Sequence, residues 1–176
     1  MKRVKDFWKE EDLQVRKVEI ERVSIISSRS FEEVKAALNG AIGHPDLVQL
    51  GREIKSTQTY SDLESKIKRS LGRTDLMLFM ELDEGEVIRK ENNSTSPKIE
   101  RFIVGNPLIM KEMVKYVPDA GTYAPVTILL DERQDGVHLT YDRMASLIAS
   151  YGSPEALEVA KDLDLKVENL LRECAT

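Results

Sequence analysis

The sequence predicts an α+β fold: a two-layer sandwich in which helices cover a mainly antiparallel sheet, with an added helix at the C-terminus. Strand patterns and helical patterns alternate irregularly along the chain, which does not fit the regular repeat of a parallel, doubly wound sheet. Residues 126–130 and 137–141 are predicted to form the two arms of a hairpin, because a loop ending in an Asp-Gly pair joins them. A hairpin makes its two strands antiparallel.

The first part of the chain predicts one strand and three helices. The strand is expected over residues 18–27, where the alternation of apolar and polar residues changes phase and indicates a bulge. Ser30 and Glu33 stand at the spacing of a capping box, which predicts the first helix. A second helix is predicted to begin at Pro45. A third helix is predicted to begin after Ser61, which would be its cap.

The middle of the chain predicts two more strands. Residues 76–82 form an apolar run of strand length between turn residues, with Glu81 inside it, which is typical of a buried central strand. A turn after Asp83 is expected to lead into an extended segment at Val87 and Ile88. Residues 99–104 form the strand that follows.

Three helices are predicted in the last part of the chain. Asn106 can cap, and Pro107 can begin, a helix that follows a strand directly. Asp142 is expected to cap a helix that ends near Tyr151. Pro154 begins a last helix whose apolar residues recur at nearly coiled-coil spacing, and we expect this helix to pack on its own sheet.

Length and composition predict one globular domain over residues 1–176. Hydrophobic residues make up 41% of the 176 residues and charged residues 32%, which is ordinary for a folded domain. The net charge of -5 gives no field that attracts phosphates, so no nucleic-acid partner is predicted. No apolar run approaches the ~20 residues that span a bilayer, so no membrane partner is predicted. The only cysteine, Cys174, excludes an intrachain disulfide and fits a reducing, cytoplasmic location.

The most informative motif is a strand followed by Gly105, Asn106 and Pro107, here called the Gly-Asn-Pro turn. A helix that begins directly at the end of a strand points free backbone amides at the sheet edge, where they can hold an anion or a carbonyl group. In the alternative interpretation, Asn106 serves only as a helix cap and no ligand binds at the turn.

Carboxylates and tyrosines supply the other candidate groups. Glu81 and Asp83 share a strand face by alternation, and two carboxylates can perform acid/base chemistry if burial separates their pKa values. The simpler interpretation of this pair is a solvated strand end. Tyr123 and Tyr141 can line a pocket with apolar walls, and several methionines can provide an adaptable apolar interior.

The sequence predicts no metal site and no cofactor. His44 and His138 are the only histidines, and they lie in different predicted elements rather than at the helical spacing that binds zinc. No glycine-rich turn of the kind that binds dinucleotides follows a strand.

The order of these motifs resembles the family called domain of unknown function 302. The resemblance covers about residues 23–151 and rests most specifically on the Gly-Asn-Pro turn after a strand. The other matching pieces are residues 30–34 at the start of the first helix, the strand of residues 76–82, residues 102–104, residues 125–130 and 135–137 of the hairpin, and residues 140–142.

The resemblance implies a compact sheet with helices packed on it, a dimer in many relatives, and no settled activity. Residues 23–151 would form the family-like core, whereas residues 1–15 and the helix of residues 153–176 would be elaborations. The resemblance implies, in many relatives, a histidine after the acidic residue of the second strand. In this chain Asp83 is followed directly by Glu84 and Gly85 and not by a histidine, so the histidine chemistry of relatives is not expected to carry over.

Three functions are compatible with these residues, and the sequence leaves open whether the protein is an enzyme. The first is a binding module that holds a small amphipathic or apolar molecule near the Gly-Asn-Pro turn, with Asn106, Tyr141 and Glu81 as polar contacts. The alternative is an acid/base enzyme of the isomerase or lyase type that uses Glu81 or Asp83 as its base. The third is a scaffold or protein-interaction module whose terminal helices recruit a partner or, in a homodimer, a second copy of the chain.

Overall fold

A computed structural model describes residues 14–176 of the chain, and its strands form one five-stranded sheet. The strands are β1 (Arg22–Ser27), β2 (Met77–Asp83), β3 (Ile99–Gly105), β4 (Val126–Arg133) and β5 (Gly136–Asp142). Their order across the sheet is β1-β5-β4-β3-β2, and every neighbouring pair is antiparallel. The predicted antiparallel sheet and its hairpin, β4 with β5, are therefore confirmed.

Seven α-helices and a short 3-10 helix accompany the sheet in the described residues, and the longest helix is the C-terminal one. This arrangement confirms the predicted α+β sandwich with an added C-terminal helix. The helices are α1 (Phe31–Ala41), α2 (Leu47–Lys55), α3 (Tyr60–Ser70), α4 (Gly85–Asn92), α5 (Pro107–Val114), the 3-10 helix (Pro118–Thr122), α6 (Met144–Ala149) and α7 (Pro154–Ala175).

The hydrophobic core lies on one face of the sheet. Every second residue of the central strands is completely buried there, as Phe102 and Val104 are in β3, Ile128 and Leu130 in β4, and Leu139 in β5. Helices α1 and α7 contribute the other wall of this core. The sheet thus buries one side of its pleat beneath the helices.

The opposite side of the sheet stays partly exposed in the described part of the chain, and we call it the open face. Ile26 of β1 is 54% exposed and Met80 of β2 is 50% exposed on this side. The strand register assigns to the open face Arg22, Ser24 and Ile26 of β1, Met80 and Leu82 of β2, Ile99, Arg101 and Ile103 of β3, Thr127, Leu129, Asp131 and Arg133 of β4, and His138, Thr140 and Asp142 of β5.

Strand β2 lies at an edge of the sheet, so the central position predicted for residues 76–82 is wrong. Only the beginning of β2 has backbone contact on its outer side, where it meets Gly43. A register shift between Leu78 and Met80 forms a β-bulge with Phe79 as the extra residue. The bulge breaks the alternation of the strand, and the uninterrupted apolar residues from Leu76 to Met80 span it.

Two other local predictions are wrong. Strand β1 begins only at Arg22 and pairs with β5 without a shift in register, so the bulge predicted in residues 18–27 does not occur. Val18 and Ile20, whose alternation has the opposite phase to that of Val23 and Ile25, lie before the start of the strand. The segment predicted to be extended after Asp83 is helix α4, which begins where the Asp83 carboxylate accepts a hydrogen bond from the N–H of Glu86 (2.9 Å).

Most of the predicted helix caps are present. The hydroxyl of Ser30 accepts a hydrogen bond from the N–H of Glu33, and the carboxylate of Glu33 accepts one from the N–H of Ser30, which completes the capping box of α1. Asn106 caps α5 as predicted. Thr59, rather than Ser61, caps α3, so that helix begins earlier than expected.

The cap of α6 comes from a distant part of the chain instead of from Asp142. The Asp142 carboxylate forms an ion pair on the open face. The carboxylate of Asp164, in α7, accepts hydrogen bonds from the N–H groups of Met144 (2.7 Å) and Ala145 (3.0 Å). It also accepts one from the hydroxyl of Tyr141 (2.6 Å). Asp164 therefore joins α7, the start of α6 and the sheet.

Two loops cross at Gly43 and Gly72 with their backbones in direct contact. A Cβ atom on Gly72 would lie 2.4 Å from the carbonyl carbon of Ile42, and one on Gly43 would lie 2.0 Å from the carbonyl oxygen of Ser70. The N–H groups of both glycines donate to the carbonyl oxygen of Leu76, each at 2.9 Å. Only glycine fits at these two positions.

Helix α7 packs on its own chain, as the sequence predicts. Ala160, Val167 and Leu171 are completely buried along its inner side. The predicted N-terminal elaboration, residues 1–15, lies outside the described residues except for its last two.

Cys174, near the end of α7, is expected to react slowly with thiol reagents while the protein is folded. Its side chain is buried, and burial raises the pKa of the thiol to about 11, so little thiolate exists at neutral pH. We expect iodoacetamide to label Cys174 on the order of tenfold more slowly in native buffer than in denaturant, as followed by mass spectrometry. Equal rates would mean that the end of α7 opens readily.

Candidate functional site

The Gly-Asn-Pro turn joins β3 to α5, and Asn106 is fixed at both ends of its amide. Oδ1 of Asn106 accepts a hydrogen bond from the N–H of Leu108 (2.8 Å), and Nδ2 donates one to the carbonyl oxygen of Asp75 (3.0 Å). The Asn106 side chain is largely buried. It therefore caps α5 and at the same time attaches the loop before β2 to this helix.

An apolar cavity of about 90 Å³ lies directly beside the Gly-Asn-Pro turn. Strand β2, the turn, α5, the residues at the start of β4, and α7 all contribute to its wall. Asn106 is the only residue of the lining with a polar side chain. The lining consists of Phe79, Gly105, Asn106, Pro107, Ile109, Met110, Met113, Ala124, Pro125, Val126 and Leu163.

The bulge in β2 and the glycine of the turn shape this cavity. Phe79 is the extra residue of the bulge, and its side chain lines the cavity. A Cβ atom on Gly105 would lie 3.0 Å from Cβ of Pro125 and 3.6 Å from the Phe79 ring. The missing side chain of Gly105 therefore leaves the space that lies between Phe79 and Pro125.

A wide groove of about 880 Å³ runs along α7 on the neighbouring surface. Asn106, Ile109 and Leu163 line both the groove and the cavity, so these three side chains separate the two spaces. The groove is polar at its rim, where acidic and basic side chains form ion pairs. The pairs are Lys68 with Glu64, Lys166 with Asp75, and Arg73 with Glu173.

Tyr141 does not line the cavity. It is buried under the helices, where its hydroxyl donates to Asp164. Burial raises the pKa of Tyr141 strongly, and the negative charge of Asp164 adds to this effect. Burial also raises the pKa of Asp164, although its three hydrogen bonds act in the opposite direction. The Tyr141 hydroxyl is thus a structural group that is fully engaged within the core.

Glu81 and Asp83 lie on the same side of the sheet but have different partners. Lys35 of α1 bridges Glu81 (2.8 Å) and Glu100 of β3 (2.7 Å), so Glu81 shares its lysine with Glu100 rather than with Asp83. Burial raises the pKa of Glu100, and the nearby Glu81 raises it further, against the effect of Lys35. Asp83 forms an ion pair with Arg89, which lowers the pKa of Asp83.

Tyr123 lies beside the cavity but does not line it, although the next residue, Ala124, does. Its hydroxyl lies 3.0 Å from the hydroxyl of Tyr151, and this hydrogen bond raises the pKa of Tyr151 to about 12. The guanidinium group of Arg16 stacks on the Tyr151 ring at 4.3 Å from its centre. The two tyrosines therefore hold the segment before β1 against the end of α6.

Two of the six predicted site residues, Gly105 and Asn106, meet at the cavity. Of the other four, Tyr123 and Tyr141 both line a second pocket of about 540 Å³ at the margin of the open face, whereas Glu81 and Asp83 lie on the covered side of β2. Sequence reasoning missed Phe79, Pro125 and Leu163 as lining residues, because only the tertiary fold brings these three together. Met110 and Met113 do belong to the methionine-rich interior that the sequence predicts, and both line the cavity.

Each histidine has a local partner. Nε2 of His138 lies 2.9 Å from a carboxylate oxygen of Asp135, and Nε2 of His44 lies 2.9 Å from the carbonyl oxygen of Asn39. Within residues 14–176, no three acidic, histidine or cysteine side chains are arranged to hold a metal ion. In the same part of the chain, none of the helices combines the length and the apolar character needed to cross a membrane.

Comparisons with known proteins identify the family and agree with the fold. No curated protein matches the sequence. The chain is similar in structure to an uncharacterised conserved DUF302 protein from Bacillus stearothermophilus, known from a crystal structure. The TM-score is 0.60 with 12% sequence identity, over 87% of this chain and 97% of the other. Residues 52–174 match the family described as domain of unknown function DUF302. Because this match spans more than half of the sequence, the chain belongs to the DUF302 family.

Proposed function

We propose that the protein is a binding module that holds an apolar group of a small molecule in the cavity beside the Gly-Asn-Pro turn. The cavity itself is the main support for this proposal. Its lining is apolar except for Asn106, whose amide is already hydrogen-bonded at both ends. A cavity without free polar groups offers water no hydrogen bonds, whereas it can take up an apolar ligand.

The size of the cavity limits the group that it can hold. An engineered cavity of roughly 150 Å³ in another protein holds benzene or xenon. The cavity described here measures about 90 Å³. We therefore expect it to hold a short alkyl chain, in contact with the flexible thioether side chains of Met110 and Met113.

The neighbouring groove supports an amphipathic ligand rather than a purely apolar one. Asn106, Ile109 and Leu163 are all that separates the cavity from the groove along α7. A molecule with a short apolar end in the cavity can place its polar end among the charged side chains of the groove. The Ile109 side chain, which lines both spaces, is only partly buried, so its rotation can widen the passage between them.

The acid/base alternative has weaker support. The carboxylate pair Glu81 and Glu100 lies beside Lys35, and neither of the two lines the cavity. A catalytic base needs a space within hydrogen-bond reach where a substrate atom can sit. The raised pKa of Glu100 is the one observation that favours this alternative.

A short alcohol such as 1-butanol is expected to bind in the cavity and to shift the methyl NMR signals of Met110 and Met113. The probe would be titrated into protein with 13C-labelled methionine methyl groups. Met80 lies on the open face and Met144 is buried near α6, so neither lines the cavity. Their signals are expected to stay in place and serve as internal controls.

The variant Ala124→Leu tests whether 1-butanol binds in the cavity beside the Gly-Asn-Pro turn. It adds three carbon atoms at the cavity wall and is expected to weaken 1-butanol binding about tenfold, because excluding two methylene groups removes roughly 1.6 kcal/mol. Ala149→Leu adds the same atoms at an exposed site in α6 and is expected to leave binding unchanged. Shifts that never saturate, or that persist in Ala124→Leu, would contradict the proposed site.

A further inference from the structure

We propose that the ligand of the cavity is a short-chain primary amine, bound as its ammonium ion with the alkyl end in the cavity and the charged end beside Asp162 in the groove. This inference rests on the proposed function and names the class of small molecule that the two spaces would hold together. Its basis is the position of Asp162 at the border of the cavity and the groove, where this carboxylate has no cation partner in the described part of the chain.

Asp162 lies where the groove along α7 meets the cavity. The next residue, Leu163, lines both spaces from α7, and Ile109 lines both from α5. Val159 and Lys166 line the groove about one helical turn to either side, so Asp162 stands in the middle of the groove wall. Its side chain is exposed. A molecule whose alkyl end enters the cavity between Ile109 and Leu163 therefore has its polar end close to this carboxylate.

Asp162 is also the one acidic side chain of the groove that has no cation partner within residues 14–176. Of the other four acidic side chains that line the groove, Glu112 pairs with Lys111 and Lys115 of its own helix. One fixed negative charge thus remains uncompensated at the border of the cavity. The other three pair with the basic side chains of the groove: Glu64 with Lys68, Asp75 with Lys166, and Glu173 with Arg73.

The two lysines nearest to Asp162 along α7 are held by other carboxylates. Nζ of Lys161 lies 3.8 Å from the carboxylate of Glu158, and Nζ of Lys166 lies 3.0 Å from that of Asp75. An ammonium group that arrives with a ligand supplies the missing positive charge. A ligand carboxylate at the same place would meet a charge of its own sign, and the net charge of -5 acts in the same direction. The groove therefore favours a cationic polar end over an anionic one.

The shape of the border favours a free alkylamine. Both ends of the Asn106 amide are already hydrogen-bonded, to Leu108 and to Asp75, so Asp162 is the acceptor that remains for the ligand. An ammonium group is a donor only, and it needs such an acceptor. The lysine side chain of another protein does not fit, because its ammonium group occupies the free end of its alkyl chain. A free alkylamine has a methyl group at that end, and this end can enter the cavity.

NMR titration with three ligands of the same chain length tests this proposal: n-butylamine, 1-butanol and butyrate. At neutral pH the amine is positively charged, the alcohol is neutral and butyrate is negatively charged. The methyl signals of Met110 and Met113 report the occupation of the cavity by all three. We expect n-butylamine to bind about tenfold more tightly than butyrate, because Asp162 attracts one ion and repels the other, each by roughly threefold in affinity.

Asp162→Asn removes the charge and keeps the size of the side chain. It is expected to reduce the ratio of amine to butyrate affinity to about twofold or less and to leave 1-butanol binding unchanged. Glu132→Gln is the matched control, because it removes the same charge from an exposed side chain of β4 that lines neither space. It lies roughly 20 Å along the strand from Val126 and is expected to keep the wild-type ratio. About 0.5 M NaCl is expected to lower the ratio in the wild type but not in Asp162→Asn.

The three ligands also separate this inference from the proposed function. If 1-butanol binds in the cavity but butyrate binds as tightly as n-butylamine, the amine assignment is overturned and the binding function stands. If 1-butanol does not shift the signals of Met110 and Met113, both are overturned. An amine preference that persists undiminished in Asp162→Asn would overturn the role of this carboxylate.

Discussion

Gly72→Ala is expected to cause the largest loss of stability among single substitutions in this fold. The new methyl group would lie 2.4 Å from the carbonyl carbon of Ile42 and 2.5 Å from the carbonyl oxygen of Ala41. Backbone atoms cannot rotate away as a side chain can, so the two crossing loops would have to separate. Separation would break the hydrogen bonds that Gly43 and Gly72 donate to Leu76. We expect a loss of about 4–5 kcal/mol, at the upper end of single substitutions.

Gly40→Ala provides the matched control, because it makes the same chemical change three residues before the crossing. Gly40 lies inside α1, and a Cβ atom there would have no other atom within 4 Å. Alanine in a helix interior is more stable than glycine by about 0.5–1 kcal/mol, so this variant is expected to raise the free energy of unfolding. Urea unfolding of both variants measures the two effects. A loss below about 1 kcal/mol in Gly72→Ala would mean that the loops can separate at little cost.

Asp164→Ala is expected to cause the second largest loss of stability, about 3–5 kcal/mol. The carboxylate of Asp164 is the acceptor for the N–H groups of Met144 and Ala145 and for the hydroxyl of Tyr141. Alanine would leave these donors without their acceptor, and each buried, unpaired donor costs about 1–3 kcal/mol. Thermal unfolding followed by circular dichroism would measure the loss.

A double-mutant cycle with Tyr141→Phe separates the contribution of the tyrosine hydroxyl. Phenylalanine removes one of the three donors, so the double variant is expected to be more stable than the sum of the two single losses predicts. Glu158→Ala, on the exposed side of α7, removes a carboxylate whose partner is the exposed Lys161 (3.8 Å), and it is expected to stay within about 0.5 kcal/mol of the wild type. Additive losses in the cycle would show that Asp164 and Tyr141 act independently.

The features that the sequence predicts correctly are those that depend on neighbouring residues. The capping box of Ser30 and Glu33 lies within one helical turn, and the hairpin of β4 and β5 needs only two alternating segments and a turn. The cap of α6 depends instead on Asp164, which lies 20 residues after Met144 in sequence. No local pattern can reveal such a partner, and a local pattern therefore predicts Asp142, the nearest residue that could cap the helix.

The edge position of β2 and the extent of the cavity were beyond prediction for a similar reason. The sequence predicts Gly105 and Asn106 as candidate site residues because a strand that turns directly into a capped helix is a local motif. Phe79 joins them only because a bulge interrupts β2, and Leu163 joins them only because α7 packs across α5. The register places Asp83, not Glu81, opposite Glu100, and Glu81 is joined to Glu100 only through Lys35 of α1, a contact that the sequence does not specify.

The strand order also determines when the sheet can be completed during synthesis. Strand β1 is translated first, but its neighbour in the sheet is β5, the last strand, and the paired residues Arg22 and Asp142 are 120 positions apart. Closing so long a loop is opposed by chain entropy, so β1 is expected to dock after the hairpin of β4 and β5 has formed. Until then the nascent chain presents β5 as an unpaired edge, with the apolar segment of β1 still free. Chaperone binding and aggregation are therefore expected to compete with folding at this one step of biogenesis.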